Sequence, residues 1–235
     1  MKAVLLCGGL GTRLRPYTYK TPKSMLEVGG HPLLWYVIQN LKKNGITDFI
    51  LNVGYLNEQI RDYFKDGKEL GVNIEYSIEE EALNTAGSVF PLKEKLNETF
   101  VVMMGDQLTN VNIKAMIEDH QKNKSIATVG LLKHKIPLEY GVADLEGNKI
   151  IGFREKPVLE NYINTAIYVF EPEIFSFIKE KEDFAKNVLP RVIESGKPIT
   201  GFILEGSWFD MGRVSDYERF NEEMNMVKLT EDLKS

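Results

Sequence analysis

The segment from Lys2 to Leu26 constrains this chain more than any other part of its sequence. It reads KAVLLCGGLGTRLRPYTYKTPKSML and carries five cationic side chains and no carboxylate, although the whole chain has a net charge of −5. The apolar run at 3–6 predicts a buried strand, and the glycines that follow let the backbone turn with its amides exposed. A polyanion near the end of this strand would meet backbone N–H groups and several cations together. The segment therefore predicts a phosphate-binding loop.

Two other phosphate-binding motifs are excluded. A Walker A loop needs G-x-x-x-x-G-K-[ST], which no stretch near Gly8 supplies. The dinucleotide fingerprint G-x-G-x-x-G fails because Leu14 stands where its third glycine belongs. The chain is therefore predicted to be neither a P-loop NTPase nor a Rossmann dehydrogenase.

Composition is that of an ordinary globular protein. The chain has 235 residues, 43% of them hydrophobic, which is enough for one large domain. No apolar stretch approaches the roughly 20 residues of a membrane span, and we see no signal peptide, so we expect a cytoplasmic protein without a membrane partner. The acidic balance argues against nucleic acid as a partner. Cys7 is the only cysteine, which excludes an intrachain disulfide, and we expect it to pack in the interior.

Strand-like and helix-like patterns alternate along the chain. Apolar, β-branched runs predict strands at Asp48–Val53, Asn73–Ile78, Phe100–Met104, Ile126–Leu132 and Ile163–Phe170. Apolar stripes with helical spacing begin at Leu33, Ile113 and Phe184. Shorter antiparallel strands are expected around the turn Glu146-Gly147-Asn148, and a frayed helix end from Met226 to Ser235. This order predicts an α/β fold, Rossmann-like, with a mixed, mostly parallel sheet, helices on both faces, and ligands at the carboxyl ends of the strands.

Two aspartates follow apolar runs that would end at the mouth of the sheet. Asp106 ends the run VVMMGD, and Asp210 lies in WFDMG. A triphosphate over the first loop would need a divalent cation, and Mg²⁺ takes carboxylate oxygens. Either motif alone is equally consistent with an ordinary turn, but together with the first loop they predict a Mg²⁺ site. The three histidines share no metal-ligand spacing, and we expect them at the surface or behind the site.

The motif GGLGTRLRP, followed by Pro-Lys at 22–23, resembles the signature of the sugar-1-phosphate nucleotidylyltransferases, in which this loop holds the nucleoside triphosphate. The stretch EEEALNTAG at 79–87 resembles the family's E-E-x-P-L-G-T-A-G, with Ala82 for the common proline and Asn84 for a glycine. Its small residues and exposed amides are expected to contact a base or a sugar ring. Because asparagine tolerates a positive φ, the backbone path is expected to survive the second change.

Three later stretches resemble the motifs that build the sugar-phosphate pocket of that family. YGV at 140–142 resembles Y-G-V, REKP at 154–157 resembles E-K-P, and NTAIY at 164–168 resembles N-A-G-x-Y. Ala166 stands where the family has a glycine, which adds a methyl group near the sugar.

The resemblance implies a single nucleotidyltransferase domain over residues 1–235, with a nucleotide-binding part at about 1–110 and a sugar-phosphate part at about 111–225. It implies nucleotide contacts from Leu6, Gly8, Gly9, Gly11, Thr12, Arg13, Lys23, Glu80, Asn84 and Gly87. It implies sugar-phosphate contacts from Gly141, Glu155, Lys156, Asn164 and Thr165. Arg13, Lys23 and Asp106 would be catalytic, and Asp106 and Asp210 would bind Mg²⁺.

The implied reaction converts a sugar 1-phosphate and an NTP to an NDP-sugar and pyrophosphate. Mannose 1-phosphate with GTP is slightly favoured, and glucose-1-phosphate thymidylyl or uridylyl transfer is the alternative. Some relatives carry a C-terminal β-helix of hexapeptide repeats, which this chain is expected to lack. A non-catalytic regulatory subunit that binds a nucleotide sugar is a further alternative, against which the joint presence of Arg13, Lys23, Asp106 and Asp210 speaks. Assembly into a homo-oligomer is left open.

Overall fold

The computed structural model describes the backbone of residues 1–232 and the side chains of residues 1–223. The strands are β1 (Lys2–Leu6), β2 (Glu27–Val28), β3 (His31–Pro32), β4 (Asp48–Val53), β5 (Asn73–Ile78), β6 (Phe100–Met104), β7 (Gln107–Thr109), β8 (Ala127–Pro137), β9 (Val142–Glu146), β10 (Lys149–Arg154), β11 (Val158–Phe170), β12 (Ile199–Ile203) and β13 (Trp208–Asp210). The α-helices are α1 (Leu33–Lys43), α2 (Asn57–Phe64), α3 (Asn84–Val89), α4 (Ile113–Asn123), α5 (Leu189–Glu194) and α6 (Val214–Asp232). None of these helices is both long and apolar enough to cross a membrane.

The central sheet contains seven strands in the order β12-β8-β11-β6-β1-β4-β5. Strands β6, β1, β4 and β5 run parallel to one another, and β12 runs parallel to β8. Strand β11 is antiparallel to both of its neighbours, β6 and β8. The predicted mixed, mostly parallel sheet is therefore confirmed.

Side chains alternate across the sheet and build an apolar core on each face. Ala3 and Leu5 of β1 pack in the core that includes α1, α2 and α4, whereas Val4 and Leu6 pack in the core that includes α3 and α5. Both faces of the strand are covered, which is why its sequence is a continuous apolar run rather than an alternating one. Cys7 is also buried, which raises the pKa of its thiol and fits the expected packing role.

The predicted bounds of three strands of the central sheet are correct. The predictions for 48–53, 73–78 and 100–104 coincide with β4, β5 and β6. Strands β8 and β11 extend beyond their predicted ends as a ribbon that leaves the core, where Glu160 forms ion pairs with Lys133 and Lys135. An apolar pattern cannot detect this exposed part of a strand. The hairpin of β9 and β10 around 147–148 is confirmed.

Two local expectations need correction, and a third lies partly outside the described residues. The stripe that begins at Phe184 does not bury all its members, because 184–188 is a π-helical turn that shifts the following residues, and Ile193 is 60% exposed. His120 is not at the surface: it is 1% exposed, with Thr128 Oγ1 at 2.8 Å and Glu171 Oε1 at 3.1 Å from its ring nitrogens. The helix end expected within 226–235 is the end of α6, which continues to residue 232; residues 233–235 lie outside the described part of the chain, and fraying there stays a prediction.

Candidate active site

The glycine-rich loop begins where β1 ends, at the carboxyl edge of the parallel strands. A Cβ on Gly8 would lie 2.7 Å from Glu79 Oε2, so a side chain there would require the Glu79 carboxylate to move. Gly11 has a φ of +60°, which glycine adopts at no steric cost, and its carbonyl accepts a hydrogen bond of 2.8 Å from Thr18 Oγ1. A Cβ on Gly9 would meet no atom within 4 Å. The loop is thus held at both ends, while its middle faces an open cleft.

One side of the loop forms a cavity of about 210 Å³ that we call the cationic cavity. Its lining includes these predicted site residues: Gly9, Gly11, Thr12, Arg13, Lys23 and Asp106. Arg13 is exposed on a short 3₁₀ helix, and none of the described carboxylates forms an ion pair with it. Its charge is therefore available to an anion that enters the cavity.

Lys23 lies between the two predicted metal-binding aspartates. Its Nζ is 2.5 Å from Asp106 Oδ2 and 3.5 Å from Asp210 Oδ1. The aspartates meet because Asp106 directly precedes β7, and Asp210 at the end of β13 pairs with Gln107 at the start of β7. The Asp106 side chain is 11% exposed and that of Asp210 is 47% exposed, so the cluster has a buried end and a solvent end.

The electrostatics of this cluster fit a hard divalent cation. Burial raises the pKa of Asp106, the Asp210 carboxylate adds to this effect, and Lys23 opposes it. Two carboxylates are thus already placed around one cationic position, and Mg²⁺ commonly takes one or two protein carboxylates and completes its shell with water and phosphate oxygens. Within residues 1–223 there is no group of three or more metal-ligating side chains. The protein would therefore supply only part of the coordination shell.

The other side of the loop forms a cavity of about 220 Å³ that we call the apolar cavity. Its lining includes four predicted residues, Leu6, Gly8, Gly9 and Asn84. It also includes Asn52 and Glu79, which the sequence analysis did not single out. Gly9 and Met104 line both cavities, so the two form one cleft across the glycine loop.

Glu79 is the polar residue of the apolar cavity with unused hydrogen-bonding capacity. Its Oε1 is buried and has no hydrogen-bond partner in the described structure. A buried acceptor without a partner is costly, and a bound ligand with N–H donors would satisfy it. The backbone N–H of Glu79 donates to Val53 O at 2.8 Å and so continues the pairing of β5 with β4. Glu80, the residue predicted to contact the nucleotide, is instead exposed and lines neither cavity. The register of β5 against β4 therefore decides that Glu79, and not Glu80, lines the apolar cavity.

The helix α3 starts at the apolar cavity, and two of its first four backbone amides have partners within the protein. Asn84 adopts a φ of +61°, as its tolerance of this region predicts. The backbone N–H groups of Ala86 and Gly87 each donate to Glu182 O at 3.0 Å, which corrects the expectation that they are exposed. Gly87 lines neither cavity; a Cβ there would lie 2.9 Å from the backbone nitrogen of Lys181, so packing explains its small size.

The five predicted sugar-phosphate residues line neither cavity. Gly141 and Glu155 are neighbours, since Glu155 Oε2 lies 2.9 Å from the position of a Cβ on Gly141. Lys156 follows with an exposed side chain and a φ of +44°. These residues belong to the segments that flank the β9–β10 hairpin, which forms a two-stranded sheet of its own.

The remaining two predicted sugar-phosphate residues are engaged within the protein. Asn164 Oδ1 accepts a hydrogen bond of 2.8 Å from Ala166 N, and its Nδ2 donates to Tyr168 Oη at 2.8 Å. Thr165 is fully buried, and its hydroxyl donates to Gly130 O at 2.8 Å, so its side chain stabilises the sheet rather than facing a cavity. Ala166 has a φ of +55°, a conformation for which glycine is better suited.

Comparisons with known proteins agree on one family. The family model for nucleotidyl transferase matches residues 2–226. The chain is 34% identical to the UTP–glucose-1-phosphate uridylyltransferase of Synechocystis and 36% identical to the mannose-1-phosphate guanyltransferase of Saccharomyces cerevisiae. Each match covers 92% of this chain but 61% and 63% of the respective relative, so the chain spans less than two thirds of their length.

Two solved structures share this fold. One is from Bacillus anthracis and is assigned as a glucose-1-phosphate thymidylyltransferase in complex with sucrose; its TM-score is 0.77, with 29% identity and 95% of each chain covered. The other is HddC from Yersinia pseudotuberculosis, with a TM-score of 0.75, 24% identity, and coverage of 94% of this chain and 98% of that chain.

Proposed function

This chain belongs to the nucleotidyl transferase family, and we propose that it joins a nucleoside triphosphate and a sugar 1-phosphate to give an NDP-sugar and pyrophosphate. The observation that carries the proposal is the cleft across the glycine loop. An NTP that lies over Gly9 would place its phosphates in the cationic cavity, beside Arg13 and Lys23, and its base in the apolar cavity. Family membership itself confirms the resemblance drawn from the sequence motifs.

The residues present suffice for this chemistry without a general base. The attacking oxygen of a sugar phosphate is already an anion at neutral pH, so catalysis depends on positioning and on charge neutralisation. Arg13 and Lys23 would stabilise the charge on the α-phosphoryl group and on the departing pyrophosphate. Asp106 and Asp210 would hold Mg²⁺, which when bound neutralises phosphate charge.

The apolar cavity favours guanine over uracil and thymine. Glu79 offers a carboxylate whose Oε1 lacks a partner, and a carboxylate accepts two parallel N–H bonds well. Guanine presents two adjacent N–H donors on its Watson–Crick edge, whereas uracil and thymine present one N–H between two carbonyl groups that a carboxylate repels. The yeast relative is a guanyltransferase that uses mannose 1-phosphate, and this sugar is the one that we propose.

A second candidate is uridylyl or thymidylyl transfer to glucose 1-phosphate. The names of the Synechocystis relative and of the Bacillus anthracis structure favour it. A regulatory subunit without activity is disfavoured by the Lys23–Asp106–Asp210 cluster, since binding of a nucleotide sugar alone does not require it.

The test is a panel of the four common NTPs against mannose 1-phosphate and glucose 1-phosphate, with Mg²⁺ present and pyrophosphate release as the readout. We expect GTP with mannose 1-phosphate to give the highest kcat/KM. Glu79→Gln should lower kcat/KM for GTP by about 10- to 100-fold, more than for UTP, because the carboxylate loses one acceptor and its charge. Glu58→Gln, at an exposed glutamate on α2, is the matched control. No release from any pair would refute the reaction, and equal losses with GTP and UTP would refute the base assignment.

A further inference from the structure

Residues 179–184, which we call the latch segment, contact the start of α3 although the two are far apart in the sequence. Asn84 Nδ2 donates to Lys181 O at 2.8 Å. Thr85 Oγ1 donates to Asp183 Oδ2 at 2.8 Å. Both α3 residues line the apolar cavity, so the latch segment contacts the wall of that cavity from behind.

The latch segment also satisfies the amides of the third and fourth residues of α3. A helix leaves its first N–H groups without partners inside the helix. Here Ala86 and Gly87 donate theirs to the carbonyl oxygen of Glu182, at 3.0 Å each. The position of the Glu182 backbone therefore fixes where α3 begins, and with it the positions of Asn84 and Thr85.

The Glu182 backbone is held in turn by a bidentate ion pair. Arg191 Nη2 and Nη1 lie 2.5 and 2.9 Å from the two carboxylate oxygens of Glu182, and Nη1 also donates to Phe177 O. The N–H of Lys179 donates to the same carboxylate at 2.9 Å. These interactions lower the pKa of Glu182 to about 2, so the pair is charged at neutral pH. Arg191 belongs to α5, which packs in the apolar core.

Arg191 lines neither the apolar nor the cationic cavity. We propose that the Arg191–Glu182 pair is a positioning device that, through the latch segment, sets the affinity and the base discrimination of the nucleotide pocket without contacting the nucleotide. This inference rests on the proposed function in one respect: it takes the apolar cavity as the base pocket. The phosphate-side residues belong to a different segment, so the device acts on nucleotide binding and not on the chemical step.

The kinetic test compares Arg191→Met, which keeps the apolar stem, with Arg191→Lys, which keeps the charge but not the bidentate geometry. For Arg191→Met we expect the KM for the NTP to rise about 10-fold, the ratio that corresponds to one lost charge-assisted hydrogen bond. In Arg191→Met, the kcat and the KM for sugar 1-phosphate should stay within about twofold of the parent values, and the preference for GTP over UTP should decrease. Arg191→Lys should restore part of the lost affinity for the NTP. Lys197→Met is the matched control, because it removes an exposed ion pair with Glu173, and neither residue lines the apolar cavity.

A second measurement does not depend on activity. Hydrogen–deuterium exchange of the peptide that covers α3 should become about 10-fold faster in Arg191→Met, whereas exchange of β1 should not change. If the parent protein forms no NDP-sugar, the proposed function fails, and the exchange of α3 still decides the positioning role. Unchanged hydrogen–deuterium exchange of α3 in Arg191→Met would overturn the inference. A rise in KM for both substrates together with a fall in kcat would also overturn it, because that pattern indicates general destabilisation.

Discussion

Lys23→Met tests the charge cluster of the candidate active site most directly. The substitution removes an ammonium that lies 2.5 Å from Asp106 Oδ2 and 3.5 Å from Asp210 Oδ1, and it retains an unbranched side chain of similar length. Among the ion pairs of the described residues, Lys23 provides the single cation that contacts Asp106. After the substitution, a carboxylate that is 11% exposed faces a second carboxylate without any counterion.

The expected loss of stability follows from this burial. Removal of one partner from a buried ion pair costs about 3–5 kcal/mol, because the remaining charge stays desolvated. Because the Asp210 side chain is 47% exposed and solvent screens its charge, we expect a loss of stability at the lower end of this range. For a chain of this length, about 3 kcal/mol corresponds to a decrease of about 6–12 °C in Tm. Because the same ammonium would face the phosphates, kcat should also fall by about 10²- to 10³-fold.

The assay is thermal unfolding near neutral pH with and without Mg²⁺, for the parent, Lys23→Met and the control Lys20→Met, whose exposed side chain lies on the same loop. We expect Mg²⁺ to raise the Tm of Lys23→Met more than that of the parent, since the cation then meets two uncompensated carboxylates. An unchanged Tm for Lys23→Met would refute the reasoning. So would equal stabilisation of both proteins by Mg²⁺.

Three further predictions concern positions outside this cluster. Ala166→Gly should stabilise the protein by about 0.5–1 kcal/mol in urea unfolding, because alanine is strained at a φ of +55°, whereas Ala143→Gly in the extended strand β9 should destabilise it. Burial lowers the pKa of His120 despite its hydrogen bond to Glu171. Below the ordinary histidine pKa of about 6.5, the unfolded chain therefore binds a proton at this residue that the folded protein resists. The free energy of unfolding should consequently decrease as the pH falls through this range. This decrease should be smaller in His120→Gln, and an equal decrease in both proteins would contradict the assignment. Lys156→Ala should raise the KM for sugar 1-phosphate by about 10- to 100-fold and leave the KM for NTP unchanged; equal increases would place Lys156 in a shared region or in support of the fold.

The sequence alone determined the fold class and the segments of the site. Strands β4, β5 and β6 are predicted to the residue: β4 and β6 are short apolar runs buried on both faces, whereas β5 is an edge strand in which apolar and polar residues alternate. The glycine loop is equally local, since it depends on residues that turn the backbone within a few positions. Asp106 and Asp210 are also found by their local setting at the ends of apolar runs.

The tertiary structure alone decided which of these groups meet. The pairing of β7 with β13 places Asp210 beside Asp106, and no local pattern indicates that Lys23 lies between them. The register of β5 against β4 selects Glu79 rather than Glu80 as the glutamate of the apolar cavity. The amides of Ala86 and Gly87 donate to the carbonyl oxygen of Glu182, almost one hundred positions away, where a sequence pattern leaves them free for a ligand. Periodicity and turn chemistry act over a few neighbouring residues, whereas these contacts depend on the packing of segments that only the folded chain brings together.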